Sequence, residues 1–320
     1  MKILITGCAG FLGFHLCQKI LEKKNYKVIG IDNLNSYYSV NYKKKRLSIL
    51  KKKKNFKFYK LDISNFKELS RIFKEHKVDF VVNFAAQAGV RYSITNPLEY
   101  ANTNILGFFN IVELCRKNNI KKIYYASSSS VYGEKSFFPI SENHESNPKN
   151  IYSLSKKNNE DVAEVYSKYY GMQFIGLRFF TVYGEWGRPD MLIIKYILHF
   201  INKKNFLLNN YGDHYRDFTY VGDVVENILI LFNKKIKKKH EIFNICSNNP
   251  INIKFILKIL DNNFGKPRII KVSRNFADVY KTHGSNKKIV KVTQFKNYLK
   301  IEEGLRRVIN WAKENIKFIK

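Results

Sequence analysis

The chain has 320 residues, of which 45% are hydrophobic, so it can bury a large core and is not a disordered polypeptide. Its 57 Lys and Arg residues against 26 Asp and Glu residues give a net charge of +31, as in many nucleic-acid binders. Because the lysines lie in every segment, without a zinc-finger, RRM or helix-turn-helix pattern, we interpret the charge as a bias of solvated faces and expect no specific nucleic-acid partner.

The cysteines, histidines and apolar runs narrow the class further. The four cysteines are scattered without a CxxC pair, and the seven histidines form no HExxH motif. We therefore expect no metal ion and a reduced, cytoplasmic setting. No long uncharged apolar stretch occurs, so no membrane insertion is expected. The densest basic run, residues 43–54, is predicted to be an exposed helix.

The chain begins with the pattern of a strand, a glycine-rich turn and a helix. Residues 2–6 are an apolar run (KILIT), the glycines of GCAGFLG follow with the spacing GxxGxxG, and a helix-like pattern comes next. Such a turn places backbone N–H groups and a helix N-terminus against a pyrophosphate, and glycine permits the close approach. The residues predicted to contact a dinucleotide here are Gly7, Gly10, Phe11, Leu12 and Gly13.

An acid follows the second predicted strand, residues 27–31 (KVIGI). Asp32 stands about 20 residues after the glycines, where a carboxylate accepts hydrogen bonds from the adenosine ribose hydroxyls. A 2′-phosphate would be repelled there, so the predicted cofactor is NAD rather than NADP. Strand-like runs continue at 56–61, 80–84 and 122–126, and helix-like runs at 65–75 and 97–117.

This alternation of strands and helices predicts an α/β fold with a Rossmann-type, doubly wound parallel sheet. Ligands bind such sheets at the carboxyl ends of the strands. The residues that follow the predicted strands are therefore expected to line one site.

A helix-like run that begins near residue 152 carries a candidate acid–base pair. Tyr152 and Lys156 are four residues apart, which places both on one helix face. A nearby cation lowers the pKa of a tyrosine from its usual value of about 10. We predict that Tyr152 exchanges a proton with an alcohol or with the ketone made from it.

The pattern changes after the strand-like run at 174–180. A turn-rich stretch (GEWGRPD, 184–190) precedes a helix-like run at 191–201, and no second glycine fingerprint follows. We predict a smaller C-terminal α/β domain that binds the substrate. The expected division is residues 1–180 for the Rossmann domain, including the Tyr–Lys helix, and 181–320 mainly for the substrate domain, with some segments that return to the first.

Taken together, these motifs resemble those of the extended short-chain dehydrogenase/reductases, in their nucleotide-sugar epimerase/dehydratase branch. The matching stretches are GCAGFLG, GIDNLN, LDI, FAAQAGVRYS, YASSSSVYG, YSLSK, LRFFTVYG, GRPDM and YRDFTYV, in the order of the family and across most of the chain. Within the branch, AAQAGVRYS, FFTVYGEWGRPDM and NYGDHYRDFTY are most similar to the 4-epimerases of UDP-glucuronate.

The resemblance implies NAD-dependent 4-epimerisation of a UDP-sugar, with UDP-glucuronate as the leading substrate. Tyr152 would take the 4-hydroxyl proton while C4 passes a hydride to NAD, and the hydride would return to the opposite face of the 4-keto sugar. Lys156 would bond the nicotinamide ribose, and Ser128 would bond the reacting oxygen. The further NAD contacts are expected from Asn33, Asp62, Ile63, Ala85, Ala86, Gln87 and Asn104.

Two serines separate the predicted activity from those of relatives. The 4,6-dehydratases of the branch carry Asp-Glu where this chain has Ser129 and Ser130, and the UDP-glucuronate decarboxylases carry Glu at the second position. Arg188 is expected to pair bidentately with the substrate carboxylate, beside Thr181. The other expected substrate contacts are Arg91, Ser129, Arg216 at the diphosphate, and Arg274 and Asp278 near the uridine, where Ala277 replaces the usual glycine.

Three alternatives to this prediction stay open. The first is 4-epimerisation of a neutral sugar, UDP-glucose or UDP-N-acetylglucosamine. The second is decarboxylation of UDP-glucuronate, and the third is a basic polyanion-binding Rossmann protein without activity. The family resemblance also implies a homodimer, formed through the Tyr152 helix and the helix at 97–117.

Overall fold

A parallel sheet of seven strands forms the centre of the structure, a computed structural model that describes residues 1–274 and 278–319. In chain order the strands are β1 (Lys2–Thr6), β2 (Lys27–Asp32), β3 (Phe56–Lys60), β4 (Phe80–Asn83), β5 (Lys122–Ser128), β6 (Gln173–Phe179), β7 (Thr181–Tyr183), β8 (Phe206–Asn209), β9 (Tyr215–Tyr220), β10 (His240–Ile245), β11 (Pro250–Asn252) and β12 (Ile269–Val272). The large sheet has the order β10-β6-β5-β4-β1-β2-β3, and all its neighbours are parallel. The predicted doubly wound α/β fold is confirmed.

Helices cover both faces of this sheet. They are α1 (Phe11–Leu21), α2 (Val40–Lys51), α3 (Phe66–Glu75), α4 (Tyr92–Thr95), α5 (Pro97–Tyr100), α6 (Gly107–Lys117), α7 (Ile151–Tyr170), α8 (Leu192–Ile201), α9 (Val221–Phe232), α10 (Ile253–Phe264), α11 (Lys287–Thr293) and α12 (Ile301–Ile319). A π-helical turn, Ala101–Leu106, joins α5 to α6. The helix predicted at 97–117 is therefore one continuous run with a local widening.

The central strands are apolar on both faces because each face carries its own core. On β1, Ile3 and Ile5 are fully buried in one core, and Leu4 is fully buried in the other. Successive side chains of a strand point to opposite faces, so a strand covered by helices on both sides needs an uninterrupted apolar run. The core around Ile3 continues into the C-terminal half, where it includes Leu257 and Leu305.

The chain beyond residue 180 contributes to more than one layer. A three-stranded sheet has the order β11-β9-β7, and β8 pairs with β12. Strand β10 lies beside β6 at the edge of the large sheet. Helix α9, which the sequence reading did not identify, packs on α1. The second half thus completes the central sheet and also builds a separate region beside the strand ends.

The basic run at 43–54 is only in part the exposed helix that was predicted. Arg46 is fully buried and Lys43 nearly so, because both lie on the inner face of α2. Arg46 donates to Ala9 O at 2.9 Å and to Trp186 O at 2.5 Å. The interpretation of the run as solvated is wrong for these two residues, which satisfy backbone carbonyls inside the fold.

Candidate active site

A cleft of about 440 Å³ runs along the carboxyl ends of the central strands. The strand order reverses between β4 and β1, and open α/β sheets bind ligands at such a reversal. Of the residues predicted from the sequence, those that line the cleft are Gly7, Gly10, Phe11, Leu12, Gly13, Asp32, Asn33, Asp62, Ile63, Ala85, Ala86, Gln87, Ser128, Ser129, Tyr152, Lys156, Thr181, Arg188, Arg216 and Asp278. Three predicted residues lie outside this lining: Arg91, Asn104 and Arg274.

Two glycines of the first turn are required by the backbone. Gly7 has φ of +70°, and a Cβ added there would lie 2.7 Å from Ala85 N. A Cβ on Gly13 would lie 2.1 Å from Gly7 O. Gly10, which precedes α1, has no side chain to cap the helix, so the first-turn N–H groups face the cleft without a side-chain acceptor from that position.

Asp32 ends β2 with its carboxylate buried in the cleft wall. Its oxygens accept hydrogen bonds from Ala9 N at 3.0 Å and Leu34 N at 2.8 Å. Burial raises the pKa of Asp32, and the Leu34 N–H and the Lys43 ammonium oppose that rise. The carboxylate is therefore held in one orientation at the end of the strand.

Asn33 and Asp62 join the ends of β2 and β3. Asn33 Nδ2 donates to Asp62 Oδ2 at 2.7 Å, while Asp62 Oδ1 accepts from Ser64 N at 2.9 Å and from Ser64 Oγ at 2.7 Å. Burial acts to raise the pKa of Asp62, but the bonds from Ser64 and Asn33 bring that pKa below its usual value. Asp62 is thus an ionised acceptor at neutral pH.

Asn104 lies behind the cleft wall and fixes the loop after β4. Its Oδ1 accepts from Gln87 N at 2.7 Å, and its Nδ2 donates to Gln87 O at 3.0 Å and to Ser155 Oγ at 2.9 Å. The π-helical turn that contains Asn104 presents this amide to the loop. Asn104 therefore supports a cleft-lining segment and does not line the cleft itself.

Ser128, Tyr152 and Lys156 come together from two elements. Ser128 ends β5, and its Oγ accepts from Ser130 Oγ at 2.9 Å. Tyr152 and Lys156 lie in the first turns of α7, a helix that Asn150 caps by accepting from Ser153 N at 2.9 Å. The Lys156 ammonium lies 5.9 Å from the centre of the Tyr152 ring.

Burial and two neighbouring groups act on the pKa of Tyr152. Burial raises the pKa of Tyr152, whereas the nearby Ser128 hydroxyl and the Arg188 guanidinium lower it. Burial lowers the pKa of Lys156 to about 8, and its ammonium has no hydrogen bond or ion pair within residues 1–274 and 278–319. A buried ammonium in this state gains stability from any ligand that accepts its hydrogen bonds.

Arg188 already holds a carboxylate from its own chain. Its Nε and Nη2 donate to Asp190 Oδ1 at 3.0 Å and Asp190 Oδ2 at 2.8 Å. Tyr37, from the loop after β2, donates from its hydroxyl to Asp190 Oδ2 at 3.1 Å. Thr181, the first residue of β7, lines the same cleft.

The other predicted arginines are held at different depths. Arg216 donates to Tyr280 O at 2.9 Å, and burial lowers its pKa to about 10. Arg91 pairs with Asp278 at 2.5 Å. Arg274 pairs with Glu134 at 2.8 Å, and both of these side chains are exposed. Only Arg216 of these three arginines lines the cleft, and Ala277 lies outside the described residues.

Several cleft-lining residues were not predicted from the sequence. They are Asn35, Tyr37, Tyr38, Lys43, Lys149, Lys281 and Thr282. The first four lie within eleven residues after Asp32, so their position just beyond the end of a predicted strand could have identified them as cleft-lining residues. Nothing in the local sequence shows how far that loop extends over the cleft.

Two kinds of feature are absent from the part of the chain that the structure describes. No group of three or more His, Cys, Asp and Glu side chains is placed to hold a metal ion. No helix there combines the length and the apolar character needed to cross a lipid bilayer.

Known proteins resemble this chain along nearly its whole length. Residues 3–246 match the model of the NAD dependent epimerase/dehydratase family. A UDP-glucuronate 4-epimerase of Thermodesulfobacterium geofontis is 39% identical over 99% of this chain and 98% of its own. The crystal structure of UDP-glucuronic acid 4-epimerase from Bacillus cereus, in complex with UDP-glucuronic acid and NAD, has a TM-score of 0.92 at 30% identity and covers 98% of this chain and 99% of its own. A UDP-glucose 4-epimerase from Thermotoga maritima, with UDP-glucose, has a TM-score of 0.89 at 28% identity over 99% of this chain and 100% of its own.

Proposed function

The chain belongs to the NAD-dependent epimerase/dehydratase family, and we propose that it interconverts UDP-glucuronate and UDP-galacturonate by epimerisation at C4. The observation that carries the proposal is the meeting of Tyr152, Ser128 and Arg188 in one cleft. A phenol and a hydroxyl suit proton exchange with a sugar alcohol, and a guanidinium suits a sugar carboxylate.

The cleft fits NAD at both of its ends. Gly7 and Gly13 let the turn after β1 pack closely against Ala85 and against the start of α1, and the N-terminus of α1 then faces the cleft, where it can bind a pyrophosphate. The Asp32 carboxylate would accept from the adenosine ribose hydroxyls. The buried Lys156 ammonium would gain acceptors from the nicotinamide ribose. When bound, oxidised NAD supplies a hydride acceptor and a positive charge beside Tyr152.

Three residues of the chain would then take part in proton transfer at the sugar 4-hydroxyl, each with a different role. Tyr152 takes the proton of the 4-hydroxyl and returns it once the 4-keto sugar has presented its other face. Ser128 donates a hydrogen bond to the same oxygen. Arg188 lowers the pKa of Tyr152 by its charge, against the effect of burial. No net oxidation of the sugar results from the cycle.

The predicted substrate-binding residues can each be assigned to one part of the UDP-sugar. We assign the sugar carboxylate to Arg188 and Thr181, and the diphosphate to Arg216. Ser129 contacts the sugar. Asp278, which lines the cleft, and the exposed Arg274 would contact the uridine side, and Arg91, which pairs with Asp278, would contact the substrate phosphate or carboxylate. With these assignments, residues 181–320 are mainly the substrate domain, residues 1–180 the NAD domain, and β10 a segment that returns to the sheet of the first.

Hydroxyls in place of acids favour epimerisation over the reactions of other relatives. Ser129 and Ser130 begin the 3₁₀ turn after β5, and Ser130 Oγ donates to Ser128 Oγ at 2.9 Å. Neither side chain supplies the carboxylic acid that elimination of water requires.

A neutral UDP-sugar is the second candidate substrate. The pairing of Arg188 with Asp190 favours a neutral sugar, because a guanidinium whose charge is already balanced by a carboxylate can remain without a second one. The same chemistry at C4 would then act on UDP-glucose.

We further propose that the protein is a cytoplasmic homodimer. Exposed apolar side chains lie on the α5–α6 run and on α7, among them Leu98, Leu106, Phe109 and Leu154. Two copies of this surface would bury them in a four-helix interface. Light scattering on the purified protein tests this, with Leu98→Glu expected to shift the mass toward that of one chain.

The decisive experiment is incubation of the purified protein with UDP-glucuronate and NAD, with the products resolved by NMR of the sugar protons. UDP-galacturonate without net NADH supports the proposal. UDP-xylose would instead identify a decarboxylase. Turnover of UDP-glucose alone would select the neutral-sugar candidate. Salt-sensitive binding of DNA without any binding of NAD would identify a polyanion-binding protein.

A further inference from the structure

The pairing of Arg188 with Asp190 uses only one edge of the guanidinium. Arginine has five N–H groups in a planar fork. Asp190 accepts one from Nε and one from Nη2. The edge formed by Nη1 and the second hydrogen of Nη2 has no partner among the described residues, and it can receive a second carboxylate bidentately.

The position of the Arg188–Asp190 pair shows which side of the Arg188 guanidinium a ligand can reach. Arg188 lines the cleft and lowers the pKa of Tyr152, whereas Asp190 is not part of the cleft lining. The side of Arg188 away from Asp190 is therefore the side available to a ligand in the cleft. A carboxylate that approaches from the cleft meets the unpaired edge without displacing Asp190.

Asp190 is itself held from the opposite half of the molecule. Tyr37 Oη donates to Asp190 Oδ2 at 3.1 Å. The Tyr37 ring packs on Tyr92 with ring centres 4.9 Å apart. A Cβ on Gly89 would lie 2.2 Å from Tyr37 Oη, so a glycine with φ of +114° leaves the path for this hydroxyl open. The loop after β2 thus reaches over the cleft to the turn that carries Arg188.

We propose that Asp190 and Tyr37 are positioning residues for recognition of the substrate carboxylate. Asp190 accepts hydrogen bonds from Nε and Nη2 of Arg188, and Tyr37 holds Asp190 in place. The Nη1 side of the guanidinium is then left for the sugar carboxylate. This inference rests on the proposed function, because it concerns the same carboxylate.

Substitution of either positioning residue should affect the sugar carboxylate and leave the nucleotide unaffected. In Asp190→Asn an amide NH₂ group faces one donor of the guanidinium, so Arg188 turns away from its present orientation. The KM for UDP-glucuronate is expected to rise about tenfold, which corresponds to one charge-assisted hydrogen bond, and any fall in kcat, caused by the changed position of Arg188 relative to Tyr152, should be smaller than this rise. Tyr37→Phe removes one neutral hydroxyl donor and is expected to raise the KM about threefold.

Competitive inhibition by UDP separates this effect from general damage. UDP lacks the sugar, so its Ki should stay within about twofold of the wild-type value in both variants. Glu22→Gln, which removes one charge from an exposed pair with Lys19 at 2.7 Å, is the matched control for Asp190→Asn. Tyr169→Phe, at a position that is 80% exposed, is the control for Tyr37→Phe.

The outcomes separate the inference from the proposed function. Absence of turnover by the wild-type protein overturns the proposed function, and this inference falls with it. Turnover by the wild type, with a KM for UDP-glucuronate that is unchanged or lower in both variants, overturns the inference alone. An equal rise in the KM for UDP-glucuronate and the Ki for UDP does so too. If Asp190→Asn does not fold, the result for Tyr37→Phe decides.

Discussion

Burial raises the pKa of the Tyr152 phenol, and the nearby guanidinium of Arg188 opposes this rise. The residue proposed to recognise the sugar carboxylate therefore also acts on the residue proposed to move the sugar proton. A substrate carboxylate that binds Arg188 partly neutralises this cation, so recognition and proton transfer are coupled through one charge.

Tyr152→Phe tests the proton transfer itself. The change removes the hydroxyl and keeps the ring, so epimerisation is expected to fall by a factor of about 100 or more, as for the loss of a general acid–base group. Product formation from UDP-glucuronate is followed by NMR. Tyr169→Phe on the same helix is the control, and a Tyr152→Phe enzyme with near wild-type turnover would assign the proton to another group.

Arg188→Met tests the coupling between the two residues by its pH dependence. Removal of the cation lets the pKa of Tyr152 rise further. Because Tyr152 acts as a base only when deprotonated, the limb of the kcat profile that reports its ionisation should move to higher pH. Activity would then fall at neutral pH and partly return in alkali. Arg188→Lys keeps a charge but not the fork, so its limb should stay near the wild-type position while the KM for UDP-glucuronate rises. An unmoved limb in Arg188→Met would argue against the coupling.

Lys156→Met is expected to stabilise the NAD-free protein while it weakens cofactor binding. The pKa of Lys156 falls from 10.5 to about 8 on folding. A lysine with a depressed pKa binds fewer protons in the folded state, so its penalty is complete below pH 8 and fades between pH 8 and 10.5. The penalty amounts to roughly 3 kcal/mol at neutral pH. Urea unfolding at pH 7 and at pH 10 measures it, and equal gains at both pH values would contradict this account.

Glu160→Gln tests a buried pair beneath the site. Glu160 and Arg178 lie 2.7 Å apart and are 4% and 6% exposed, and Ser127 Oγ donates to the same carboxylate at 2.6 Å. Loss of the charge leaves Arg178 buried without a counter-ion, so the free energy of unfolding should fall by about 3–5 kcal/mol.

The control for this change is an exposed acid. Glu303 pairs with Arg306 at 2.8 Å on α12, and Glu303→Gln should change stability by less than about 1 kcal/mol. Equal effects of the two substitutions in urea unfolding would contradict the prediction.

The sequence predicts the parts of the site that depend on local spacing. Glycines at fixed intervals, an acid at a strand end, and Tyr152 four residues before Lys156 on one helix face all depend on the geometry of a single element. The confirmed doubly wound parallel sheet follows from the alternation of strands and helices in the same way. These features need no knowledge of which distant segments meet.

The features that were missed depend on contacts between distant segments. Tyr37 reaches Asp190 only because two loops from opposite halves meet over the cleft. In the sequence, Arg46 is one of several charges in a lysine-rich run that is expected to be exposed, yet its side chain is fully buried. The order of residues along the chain contains no periodic signal for either arrangement.

Arg46 also limits how the chain can be divided. It joins the carbonyl of Ala9, in the glycine turn, to the carbonyl of Trp186, beyond the proposed domain boundary. A fragment that ends at residue 180 would lose this acceptor, the edge strand β10 and part of the core around Ile3. The proposed NAD domain is therefore a functional division and not an independent folding unit, and attempts to express it alone should give insoluble protein.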